Sequence, residues 1–125
     1  MQPNYLLPEN VARQDGISPA IELGETSGKP LLLTLGITRI LEQESLEVSI
    51  WGSEDGASAT LLFAYPRKFY CGTYLMALDL RVHPEVKFLH VRWKMNRWGS
   101  FDSPPLFGFY VFAEESSRAT AAAVA

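Results

Sequence analysis

Apolar and polar positions alternate from Val86 to Trp98, VKFLHVRWKMNRW. Leu89, Val91, Trp93 and Met95 fall on one side of an extended chain, and His90, Arg92, Lys94 and Asn96 on the other. A period of two is that of a half-buried strand. Leu31 to Leu41 repeats it with Leu31, Leu33, Leu35 and Ile37 on one face, and Gly36 marks the neighbourhood of an expected break or bulge. Leu46 to Trp51 sends Leu46, Val48 and Ile50 inward and Glu47, Ser49 and Trp51 outward; the Gly52-Ser53-Glu54-Asp55-Gly56 that follows contains an Asp-Gly turn signal. Thr60 to Tyr65 returns with Leu61, Phe63 and Tyr65 in phase and stops at Pro66, which lacks the N–H a ladder needs.

Three further segments extend the pattern. Ala20 to Glu25 is a short strand closed by the turn Thr26-Ser27-Gly28-Lys29-Pro30. Gly72 to Val82 places Tyr74, Met76, Leu78 and Leu80 on one face and Leu75, Ala77, Asp79 and Arg81 on the other. Phe107 to Ala113, FGFYVFA, is apolar on both faces, as a central strand or one packed at a second interface is. Helical character is confined to Ile40–Leu46 and lasts about two turns. About seven short strands separated by turns predict an all-β fold, an antiparallel β-sandwich of jelly-roll-like form. The sandwich is expected over residues 17–115. Residues 1–16, rich in Pro and Asn and without a sustained period, read as a flexible or loosely docked leader, and residues 116–125, SSRATAAAVA, as a disordered tail.

Composition narrows the class. A chain of 125 residues is one domain's worth and can bury a core without disulfides or metals. The single cysteine, Cys71, forms no internal disulfide, and no Cys/His set has zinc spacing, so neither cofactor nor metal is expected. A net charge of −3 lacks the long-range field that draws a protein to nucleic acid, although a local basic patch is compatible with it. No signal peptide and no run of about 18 apolar residues is present, so the expectation is a soluble cytoplasmic protein without a membrane role.

The order of certain segments resembles the discoidin-like, galactose-binding-like β-sandwich domains. These are the strand ending in Leu35-Gly36, LEVSIWGSEDG (46–56), VKFLHVRW (86–93) and FGFYVFAEE (107–115). The resemblance covers roughly two thirds of the chain and implies a sandwich fold and, for function, carbohydrate or surface binding. The cysteine pair that often joins that family's termini is absent, and the family's ligand loops have no residue-by-residue counterpart here.

Three constellations could carry chemistry. Trp51, Arg67 and Tyr70, with Lys94, Arg97 and Trp98 at the exit of the long strand, form an aromatic and basic set; indole faces stack on sugar rings, and arginine forks hold hydroxyls or carboxylates. The bland alternative is a ring of half-buried rim residues. Trp98 falls on the polar side of its strand, whereas Trp93 is in phase with the core. Cys71, His83, His90, Asp79, Glu85 and Glu54 share no spacing that assembles a nucleophile or an acid–base pair, so no enzyme is expected; Glu54 and Asp55 read as turn chemistry. The aromatic run Phe101–Phe112 exceeds what one sheet face needs, which suggests a homo-oligomer or cover from Tyr5, Leu6 and Leu7. The leading expectation is a ligand-binding module for carbohydrate or another small polar ligand, with self-association through an aromatic sheet face as the alternative.

Overall fold

Alternating leucines build the centre of the fold because each second side chain of a strand must find a dry neighbour. The computed structural model describes residues 4–41, 43–98 and 105–116. Nine strands run through them: β1 (Asn4–Ala12), β2 (Gly16–Ile17), β3 (Ile21–Glu22), β4 (Pro30–Ile40), β5 (Glu44–Ser53), β6 (Ala59–Ala64), β7 (Gly72–Asp79), β8 (Phe88–Arg97) and β9 (Phe107–Glu115). They form two antiparallel sheets. One has the order β1-β9-β4-β7; the other has the order β2-β8-β5-β6, with β3 also lying along β8. The described residues contain no α-helix, only 3-10 turns at Gly24–Thr26 and Leu80–Val82. The chain is an all-β sandwich.

The inner faces meet in one core. Leu31, Leu33 and Leu35 of β4, Leu46 and Ile50 of β5, Leu89 and Val91 of β8, and Phe107, Phe109 and Val111 of β9 are all fully enclosed. Burying such a side chain contributes about 1.5–3 kcal/mol each, so these positions dominate folding. Of the two readings of the apolar segment 107–113, the structure shows the first: β9 is a central strand, flanked by β1 and β4.

Three departures from expectation, and one irregularity that was expected, have identifiable causes. Residues 4–12 are not a loose leader: β1 pairs along β9 from Asn4↔Ala113 to Ala12↔Phe107, and Leu6 and Leu7 join the core. Two register shifts, between Tyr5 and Leu7 and between Leu7 and Asn10, break the strict alternation there, and Pro8 is tolerated because β1 is an edge strand. The irregularity expected near Gly36 is present in β4, between Ile37 and Arg39 in its pairing with β9, while Gly36 itself pairs regularly on both sides. The ring of Tyr110 lies across Gly36, where a Cβ would come within 2.2 Å of it. In β6 a bulge opposite Ile50 and Trp51 turns Leu61 outward, 52% exposed, while Tyr65 stays buried. Residues 44–46 belong to β5, and Glu44 is 2% exposed.

The possible cover suggested for the aromatic run is present in β1. Tyr5 packs edge-on against Tyr110 (5.9 Å) and Phe112 (5.0 Å). Residues 101–104 of that run and 117–125 of the tail lie outside the described residues.

Candidate functional site

The outer face of the five-stranded sheet carries the densest set of chemically useful side chains. In the β5–β8 register Trp51 stands opposite His90, Ser49 opposite Arg92, Glu47 opposite Lys94 and Ser45 opposite Asn96. Alternation sends Leu89, Val91 and Met95 into the core and leaves His90, Arg92, Lys94 and Asn96 outside. Leu61 joins this face through the β6 bulge.

These side chains organise one another. The Trp51 Nε1–H donates to Ser49 Oγ at 2.9 Å, which holds the indole flat along the sheet. The Arg92 guanidinium lies over the indole, 3.8 Å from its centroid, and its Nε–H donates to His90 Nε2 at 2.9 Å. The His90 ring is nearly parallel to Trp51, at 15°. A cation stacked on an indole is worth about 0.5–2 kcal/mol, more where water is excluded. Burial disfavours a charged imidazole, and the Arg92 charge adds to that, so His90 is held below its ordinary pKa of 6.5 and, as a neutral ring, accepts the hydrogen bond from Arg92 Nε–H.

Two concavities open on this face. The first, about 380 Å³, is lined by Trp51, Leu61, Ala64, Arg92 and Lys94 among others. The second, about 280 Å³, is lined by Ser45, Glu47, Arg67, Lys94, Met95 and Asn96. Glu47 and Lys94 line both, so the two adjoin and make a two-part groove with that pair at the junction. Arg67 binds Glu47 through Nε at 3.0 Å and Nη2 at 2.9 Å across the groove wall. Ser45 and Tyr65, which line the second and first concavities, have enclosed hydroxyls without a hydrogen-bond partner among the described residues. Burial pushes the Tyr65 phenol well above its ordinary range.

The predicted site residues divide accordingly. Trp51, Arg67 and Lys94 come together in the groove. Trp98 packs edge-on against Phe69 at 6.0 Å, and its backbone N–H donates to the Gln43 carbonyl. It lies eight residues along β8 from His90, hence about 26 Å from Trp51 at the rise of a strand. Tyr70 is 76% exposed, and its carbonyl accepts the Tyr74 hydroxyl at 2.8 Å. Arg97 has the opposite strand phase to Lys94 and lines neither concavity. Trp51, Tyr70 and Trp98 therefore share no common concavity among these. Arg92, Ser49 and Leu61 are the members that spacing did not single out; a β5–β8 pairing centred on Ile50↔Val91 would have placed the first two beside Trp51.

Elsewhere the titratable groups do local work. Asp55 Oδ1 accepts the Ala57 and Ser58 N–H groups, which lowers its pKa and closes the turn in which Gly56 has φ +83°. His83 approaches Glu85 at 3.8 Å, and Cys71 is exposed. No cluster of three or more His, Cys, Asp or Glu that could hold a metal occurs among the described residues, and no helix there is long and apolar enough to cross a membrane. No protein-family model matches the chain, and no curated protein matches it.

Proposed function

We propose that the chain is a non-catalytic binding module that holds a carbohydrate, or another small polar ligand with an apolar ring face, in the groove over β5, β6 and β8. The observation that carries this reading is the Trp51–Arg92 stack set beside Leu61 in an open concavity of about 380 Å³. An indole fixed by Ser49 and a guanidinium fixed by His90 are preorganised, so a ligand would not have to order them, and that lowers the cost of binding. His90 spends its Nε2 lone pair on Arg92, which suits a positioning role better than proton transfer. The strand order, with β1-β9-β4-β7 facing β2-β8-β5-β6, also supports a jelly-roll reading of the sandwich and agrees with the galactose-binding-like resemblance at the level of fold.

A glycan array tests the reading. Wild-type protein is expected to retain at least one glycan class, Trp51→Ala to lose it at least ten-fold, and Trp98→Ala to keep it. Absence of glycan binding by the wild type, or equal loss in both variants, contradicts the proposal.

A second reading, self-association, is favoured by the opposite outer face. There Leu75 is 60% exposed and Tyr5 45%, beside half-buried Tyr110 and Phe112. Light scattering is expected to show a dimer that Leu75→Glu dissociates; a monomer at high concentration excludes it.

A further inference from the structure

The groove continues past Trp51. From Trp51, opposite His90, to Ser45, opposite Asn96, the register advances six residues, roughly 20 Å at the rise of a strand. One sugar ring occupies only part of that length, whereas a linear chain of rings fills it. The composition of the groove changes along the way, from Trp51 and Leu61 at one end to Ser45, Asn96 and Arg67 at the other.

Its charge opposes that of the whole chain. The protein carries a net −3, yet Arg92, Lys94 and Arg67 line the groove against the single carboxylate of Glu47. Arg67 already engages that carboxylate at 2.9 Å. Arg92 uses its Nε on His90, and its terminal amino groups, like the Lys94 ammonium, have no acceptor among the described residues. Two cations two residues apart on one strand face therefore line the adjoining concavities, beside the Trp51 indole.

We propose, building on the carbohydrate reading above, that the ligand is an extended acidic glycan, a chain of uronate-bearing sugars. The Arg92 fork and the Lys94 ammonium meet its carboxylates, Leu61 and the rim of the Arg92-covered indole lie against its rings, and the Asn96 end takes hydroxyls. A planar guanidinium accepts a carboxylate on two prongs, and lysine adds a point charge next to it. The enclosed Ser45 and Tyr65 hydroxyls border the two concavities and have no hydrogen-bond partner among the described residues.

Titration calorimetry with a galacturonate tetramer, a neutral galactose tetramer and monomeric galacturonate tests this. The acidic tetramer is expected to bind at least ten-fold tighter than either of the others, and its affinity to fall as sodium chloride rises from low to physiological concentration. Lys94→Gln, an exposed position where folding is not at stake, should weaken the acidic tetramer at least five-fold, and Arg92→Gln should do so more strongly. Equal binding of the neutral tetramer would leave the carbohydrate reading standing and overturn the acidic one. Binding of none of these sugars, with an empty glycan array, would remove both. Equal affinity for a single-stranded oligonucleotide of the same charge would show a general anion surface and overturn the assignment.

Discussion

Glu44 is 2% exposed, and its carboxylate accepts the Leu41 N–H at 2.7 Å and the Leu106 N–H at 3.0 Å, tying the β4–β5 turn to the approach to β9. Removing the carboxylate orphans two backbone donors at about 1–3 kcal/mol each, so Glu44→Ala is expected to lower unfolding stability by roughly 3 kcal/mol in urea titration. A loss under 0.5 kcal/mol would show those donors satisfied elsewhere. Gly36 makes a steric test: Gly36→Ala drives a Cβ into the Tyr110 ring and should cost about 1–3 kcal/mol, most of it recovered by adding Tyr110→Ala. His90 makes an electrostatic one. Its folded pKa is depressed, so the unfolded chain protonates first; the neutral ring's contribution is complete above 6.5 and is lost as pH falls through 6.5 toward the lower folded value. The melting temperature should fall with acidification in that window and less so in His90→Gln. Asp79, drawn to about 2 by the Arg81 guanidinium and N–H, acts in a separate window: its contribution is present above 3.8 and is lost as pH falls through about 2. Little of this was legible in residue order. Glu44 read as part of a weak helix, and the value of Arg92 depends on the strand beside it.

At the scale of elements, alternation found β4, β5, β7 and β8 with the correct inward residues, because a buried face on one side of a strand leaves a period of two; β9 was found as a run apolar on both faces. It failed where the ladder slips. The two shifts in β1 scramble the order of Tyr5, Leu6 and Leu7, and the β6 bulge reverses Leu61. Neither bulge has a local signature, since each arises from fitting one strand against a partner distant in sequence. Leu6 separates a docked strand from a loose leader. At 2% exposure, Leu6→Ala should cost about 2–4 kcal/mol, comparable to Leu33→Ala, whereas a flexible segment would lose under 0.5 kcal/mol by the same denaturation assay.

For the whole molecule, two sheets sharing a core leave two outer faces of different chemistry. One carries Tyr5, Leu75, Tyr110 and Phe112, the other a groove of Trp51, Arg92, Lys94 and Arg67. The aromatic and basic character of the site was visible in composition and strand phase, but its location was not. Trp51 and Trp98 both lie at strand ends in the sequence; pairing puts one in the groove and the other against Phe69. The most direct test of the groove is an amide chemical-shift titration of the protein with the galacturonate tetramer. The shifts should concentrate on Ser45 to Trp51, Leu61 and His90 to Asn96, and Lys94→Gln should move their midpoint to at least five-fold higher tetramer concentration. Shifts centred on Tyr70 and Trp98, or on the Tyr5–Phe112 face, would contradict the assignment.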